Sequence, residues 1–286
     1  MSRALLLVAV MLATAAGPRR QAFAEGGAPA TRVLAYGDSL TAGFWNGGRR
    51  FHPYAWRLSA LMGGCVVDHI GLSGWTAEQM RASLGAGVNG TDSVGRSWIP
   101  LDVAIAQAAA AGAPYTHVAI LAGTNDLARL GAVGGRTADG VLADLRALHD
   151  AAHRGGVPMT LCLTVPQPAF EADVPPAAAG RAAINDGLRA FAAAANSSYA
   201  VKLVDVDAAL PNLNAPADAR KHRWEEDGLH FTPHGSGELG ALLAFALRSS
   251  GAASCSRMLQ GAHAGRALDT SGDGVGAPPG ARRLDL

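Results

Sequence analysis

Apolar positions along the chain fall into two kinds of run that alternate. Short β-branched or apolar stretches recur at 32–36, 65–70, 117–122, 159–165 and 201–206, each about the length of a strand. Between them, 54–62, 99–111, 141–153, 177–195 and 237–247 carry apolar residues at helical spacing, as with Val141, Leu145, Leu148 and Ala152. Gly63-Gly64, Gly155-Gly156 and Pro211 mark stops between elements rather than linkers between domains. Strands that alternate with helices predict an α/β domain over 31–250, with a five-stranded parallel sheet covered on both faces.

Both ends break this pattern. Arg3, the apolar run 4–16 and the small residues Ala22 and Ala24 around Phe23 have the order of a secretory signal, so 1–24 is expected to direct export; the alternatives are an uncleaved anchor and an organellar targeting peptide. The run is short for a bilayer span, and Arg19-Arg20 follow it rather than precede it, which excludes a twin-arginine signal. From Gly251 to Leu286 no apolar period persists, and this Gly-, Ala- and Pro-rich stretch is expected to be a disordered tail. Asp269, Ser271 and Asp273 imitate a calcium loop, but Gly280 stands where a bidentate Glu is needed.

Composition narrows the partners. The 286 residues are 49% hydrophobic and 16% charged, and 24 Lys+Arg against 23 Asp+Glu leave a net charge of +1. Without a basic stripe, nucleic acid is not an expected partner. Three cysteines are too few for a disulfide scaffold or a cysteine zinc site, and Cys65 and Cys162, on separate strands, are expected to be buried free thiols. His149 and His153 flank Asp150 on one helix, but Asp is too short to act on a metal-bound water and no third ligand follows; they are expected on a solvated face. No metal or cofactor is expected.

Chemistry concentrates where the strands end, which is where open α/β sheets bind ligands. The first strand runs into Gly37-Asp38-Ser39-Leu40, the second into Gly71-Leu72-Ser73-Gly74, and the third into Gly123-Thr124-Asn125-Asp126. Across a loop, the fifth leads to Asp227-Gly228-Leu229-His230. A serine hydroxyl becomes a nucleophile when a base takes its proton and a third group fixes the base. Ser39 can be that nucleophile, His230 the base and Asp227, three residues earlier, the orienting acid. The Ser39 N–H, the Gly74 N–H and the Asn125 amide can donate to the oxyanion that forms. His234 competes as base, but Thr232-Pro233 read as cap and first helical residue, which places His234 inside a helix. Asp38 reads as a turn residue that holds backbone amides.

The four blocks YGDSLTAG (36–43), GLSGWT (71–76), GTND (123–126) and DGLH (227–230) resemble, in order and spacing, the signature blocks of the SGNH hydrolases, also called GDSL esterases and lipases. FHPYA (51–55) after the first block resembles secreted GDSL-like acylhydrolases of microbes and algae. The resemblance implies a flavodoxin-like three-layer α/β/α sandwich, a serine esterase mechanism without metal or organic cofactor, and an open cleft for acyl esters. Asp68-His69, where many relatives have Asn, and Trp75, where a carboxylate is frequent, depart from the family pattern.

Phe44, Trp45, Trp75, Phe170 and Trp224 flank the blocks and are expected to line the substrate cleft. The expected activity is hydrolysis of short acyl esters of lipid, aryl or sugar alcohols by a monomer without a stable membrane span. The alternatives are acyl transfer to an alcohol by the same site, and a non-catalytic carbohydrate- or lipid-binding protein of the same fold. Nucleotide binding is excluded because the first strand–helix turn lacks a phosphate-binding glycine motif, and an ordinary α/β-hydrolase because no GxSxG occurs.

Overall fold

The computed structural model describes residues 30–87, 89–131, 135–195, 200–255 and 280–283. The signal-like segment 1–24, the calcium-loop mimic and most of the C-terminal stretch (256–279) lie outside them. The first half comprises β1 (Arg32–Asp38), α1 (Ser39–Ala42), β2 (Phe44–Trp45), β3 (Arg50–Phe51), α2 (Tyr54–Leu61), β4 (Val66–Leu72), α3 (Ala77–Ser83), β5 (Gly90–Thr91), β6 (Ser97–Trp98) and α4 (Leu101–Ala110). It continues with β7 (His117–Leu121), α5 (Thr124–Leu127), α6 (Ala138–Arg154), β8 (Met159–Leu163), α7 (Pro175–Ala193), β9 (Ala200–Val204), α8 (Val206–Ala209), α9 (Ala217–Arg223), α10 (Pro233–Ser249) and β10 (Ala281–Arg283).

The main sheet has the order β10-β4-β1-β7-β8-β9, with every pairing parallel. Alternation along β1 divides its side chains between two cores. Leu34 and Tyr36 join the apolar faces of α3, α4, α6 and α7 on one side, and Val33 and Ala35 join α2 and α10 on the other. A strand buried on both faces has no room for solvated residues, which is why these segments read as near-continuous apolar runs. A charged exception is Asp68 of β4, fully buried, whose carboxylate takes the Arg32 guanidinium at 2.7 Å and the Tyr115 hydroxyl at 2.9 Å.

Three expectations change here. Cys65 is not a free thiol: it forms a disulfide with Cys255, while Cys162 is free and buried. The two cysteines are 190 residues apart in sequence, and the pairing depends on where the chain beyond α10 goes. This stretch turns back along the entries to β4 and β1, where the Cys255 N–H donates to the Met62 carbonyl and the Thr31 hydroxyl to the Ala253 carbonyl. The C-terminal stretch is therefore not wholly irregular, and Ala281–Arg283 add a sixth strand beside the five expected, with the Val67 N–H donating to the Gly280 carbonyl at 2.7 Å. Finally, His149 is not on a solvated face. It is 1% exposed and faces the Thr160 hydroxyl at 2.8 Å, and desolvation pushes its pKa down to about 3.

Candidate active site

β1 lies between β4 and β7, so chain connections leave it in opposite directions and a crevice opens at its carboxyl end. Register sets the level of that crevice: Gly37 stands opposite Gly71 of β4 and Leu121 of β7. The loops carrying Ser39, Gly74 and Asn125 therefore leave the sheet side by side.

Ser39 is the first residue of α1. The Asp38 carboxylate caps that helix by accepting the Leu40 N–H at 2.9 Å, the structural role expected of it. From the far end of the domain, the turn before α10 brings His230 to the serine, with Nε2 2.9 Å from Ser39 Oγ and Nδ1 2.7 Å from Asp227 Oδ2. A carboxylate only accepts, so the ring proton sits on Nδ1 and Nε2 is left to accept from the hydroxyl. The other carboxylate oxygen of Asp227 takes the N–H groups of Leu229 and His230 at 2.9 and 3.0 Å. Partial burial works to raise the Asp227 pKa, but the imidazole and these two amides outweigh it and hold the group down at about 2. Thr232 caps α10 with Pro233 at its first position, so His234 lies within the helix as expected, 3.3 Å from Glu238.

Gly74 adopts φ +78, and a Cβ there would stand 2.7 Å from Ser93 Oγ, so only glycine fits this exposed turn. Asn125, half-buried at the start of α5, donates one amide hydrogen to the Trp75 carbonyl at 2.9 Å, which ties the third loop to the second and leaves the amide a second donor. Buried Asp126 accepts the Ala77 N–H at 2.8 Å and thereby anchors the start of α3.

Sequence reasoning missed the groups that brace these loops. Asp92 accepts the Ser73 N–H and pairs with Arg96, whose guanidinium also reaches the Gly71 carbonyl and the Ser73 hydroxyl. Asn212 donates to the carbonyls of Gly228 and Gln167 and so fixes the Asp227 turn. The only local signal was the turn-like Asp92-Ser93-Val94-Gly95, and for Asn212 there was none.

The five aromatic residues do not share one role. Trp75 and Trp98 meet edge to face at 4.3 Å and line an apolar groove of about 330 Å³ with Gln79, Ala82 and Ala86. Trp45 is half-buried in the β2–β3 hairpin with the Arg50 guanidinium 5.6 Å from its ring centre. Phe170 is half-buried against the core, on a turn whose Ala169 N–H bonds the Gly228 carbonyl at 2.8 Å. Phe44 lies on the His230 ring. Trp224 is not a cleft residue: it is 3% exposed, stacks on Phe231 and donates to the Pro211 carbonyl within the core.

Residues 35–237 match the model of the GDSL-like lipase/acylhydrolase family. The chain belongs to this family. Among solved structures, this GDSL-like chain is similar to the lipase/acylhydrolase from Enterococcus faecalis, at 20% identity and a TM-score of 0.52 over 77% of this chain and 97% of that one. It is similar also to a GDSL-like lipase from Bacteroides thetaiotaomicron, at 16% identity and a TM-score of 0.50 over 77% and 87%. A mutant acetyl esterase crystallised with an acetate ion gives 16% identity and a TM-score of 0.51 over 77% and 97%. At these identities the likeness is one of fold: a parallel sheet between helical layers, as the sequence resemblance implies. No curated protein matches the chain. Family membership makes it a hydrolase with a small-molecule ester as its fitting substrate. Among the described residues, no helix is long and apolar enough to cross a membrane.

Proposed function

We propose that this GDSL-family hydrolase is a serine esterase in which Ser39 is the nucleophile, His230 the general base and Asp227 the group that orients it. The observation that carries the reading is the unbroken line from Asp227 Oδ2 through the imidazole to Ser39 Oγ, at 2.7 and 2.9 Å. Ser39 Oγ attacks the ester carbonyl carbon while Nε2 takes the hydroxyl proton, and the carbonyl oxygen becomes an oxyanion that accepts from the Ser39 and Gly74 N–H groups and the Asn125 amide. The same proton passes to the alcohol oxygen as its bond to carbon breaks, leaving the acyl group on Ser39. Water then repeats the sequence, with His230 again taking the proton, and releases the acid. Asp227 stays ionised throughout, since its pKa near 2 lies far below neutral pH.

The substrates are uncharged acyl esters. The groove beside Trp75 offers an apolar wall to one part of the ester, and the exposed Gly74 and Asp227 leave the other side open to lipid, aryl or sugar alcohols. Export is part of the same proposal: the signal-like 1–24 is supported by the Cys65–Cys255 disulfide, which persists in an oxidising compartment.

The test is p-nitrophenyl acetate hydrolysis by the wild-type protein and Ser39→Ala. Turnover should disappear in the variant, and equal rates would overturn the proposal. A panel of esters from acetyl to palmitoyl, with acetylated polysaccharide, then ranks the substrates.

A further inference from the structure

One contact at the site is not explained by a place for substrate. The Phe44 ring lies against the His230 imidazole with centroids 4.3 Å apart and planes 30° from parallel, a tilted ring-on-ring contact. Phe44 is held in turn. Phe51, its cross-strand partner in the β2–β3 hairpin, meets it edge to face at 6.0 Å, and the Arg96 guanidinium lies 3.9 Å from the Phe51 ring centre. That guanidinium also bonds the Ser73 hydroxyl and the Gly71 carbonyl, on the loop that presents Gly74. At its tip the hairpin is latched a second time, because the Asn46 N–H donates to Glu225 Oε2 at 2.7 Å while the Glu225 N–H bonds the His230 carbonyl.

We propose that Phe44 is a positioning residue for the base, and that the β2–β3 hairpin ties His230 to the Gly74 loop through the stack Phe44–Phe51–Arg96. An imidazole on a turn is held by hydrogen bonds at two edge atoms, which leave it free to rock about the line between them. A flat ring on its face removes that freedom and keeps Nε2 aimed at Ser39 Oγ. The proposal rests on the serine-esterase reading above and adds to it a residue that touches neither ester nor oxyanion. A cleft wall would favour particular substrates, whereas a positioning residue affects every substrate alike.

The experiment compares wild type, Phe44→Ala, Phe44→Leu, Phe44→Tyr and Ser39→Ala on p-nitrophenyl acetate, butyrate and octanoate. It also measures the rate at which diethyl p-nitrophenyl phosphate phosphorylates Ser39, with loss of p-nitrophenolate. Phe44→Ala should lower kcat by at least about threefold, equally for the three esters, with KM little changed and with a parallel fall in phosphorylation rate. Phe44→Tyr, which keeps the ring, should restore both rates, and the low-field Nδ1 proton resonance of His230 should broaden in Phe44→Ala and sharpen again in Phe44→Tyr. Gly48→Ala gives a second handle on the hairpin, since at φ +78 it strains the tip and its Cβ would stand 2.6 Å from Phe44 Cε2; it should lower kcat in the same uniform way. If Phe44→Ala does not fold, Phe44→Leu carries the comparison, as it keeps the bulk but not the flat face. A loss confined to KM, a loss that grows with acyl length, or an unchanged phosphorylation rate overturns the positioning role while an inactive Ser39→Ala leaves the esterase reading standing. Activity surviving in Ser39→Ala overturns both.

Discussion

Replacing Asp38 by Asn separates the structural cost of the buried carboxyl beside Ser39 from its role in the turn. The Asp38 carboxyl is fully buried. Oδ1 accepts the Leu40 N–H, while Oδ2 lies near the Thr124 hydroxyl without a hydrogen bond of good geometry. Desolvation dominates and raises its pKa from 3.8 to about 6, against the opposing pull of the Leu40 amide, His230 and Thr124; neighbouring Asp126 adds to the rise. A raised carboxyl pKa means that the folded protein holds more protons than the unfolded chain between about pH 4 and 6. Stability from this group is therefore greatest below that window and falls as pH rises through it. At 1.36 kcal/mol per pKa step, the ionised carboxylate costs about 3 kcal/mol above pH 7. Asp38→Asn keeps an oxygen for the Leu40 N–H, supplies a donor for Thr124 and does not titrate. Urea unfolding followed by tryptophan fluorescence at pH 4, 5, 6 and 7 should show the variant gaining on the wild type by about 2–3 kcal/mol across the series, equivalent to about 5–10 °C in Tm for a domain of this size. A stability difference that is the same at pH 4 and 7, or that moves the other way, refutes the assignment of burial as the controlling force.

Other variants test the remaining parts of the site and frame. Asp227→Asn should lower kcat about 10³–10⁴-fold while the fold persists, because the amide no longer fixes the proton on Nδ1; near wild-type ester turnover would remove Asp227 from the mechanism. Asn125→Ala should reduce kcat about a hundredfold with little change in KM for p-nitrophenyl acetate, and an effect confined to KM would mean that the amide only braces the Trp75 carbonyl. Cys255→Ser removes a link between residues 190 apart, for which loop-closure entropy predicts a loss of about 5 kcal/mol. Thermal unfolding should fall by about 10 °C or more, and an unchanged Tm would show that the link does not restrain the unfolded chain.

Much of the site was legible because its information is local. Asp227, Gly228 and His230 assemble from a single turn, and Asp38 caps the helix that Ser39 begins, so short blocks carry the geometry in their spacing. Residue type does not say which way Trp224 and His149 face once the turn or helix is placed: one is in the core, the other on the buried face of α6 against Thr160. What Asp92, Asn212 and Arg96 do for the loops is not legible because it runs through backbone groups of loops distant in sequence, and a backbone amide or carbonyl carries no signature.

By itself, the sequence determined the alternation of strands and helices, the two-faced burial of the sheet and the four blocks at its carboxyl edge. Each follows from periodicity or turn chemistry within a few residues. Only the tertiary structure decided that Cys65 meets Cys255, that Ala281–Arg283 pair with β4, and that the Phe44 ring lies against His230. These join segments separated by most of the chain. Such contacts depend on how two cores pack and which sheet edge is left open, quantities that no window along the sequence contains.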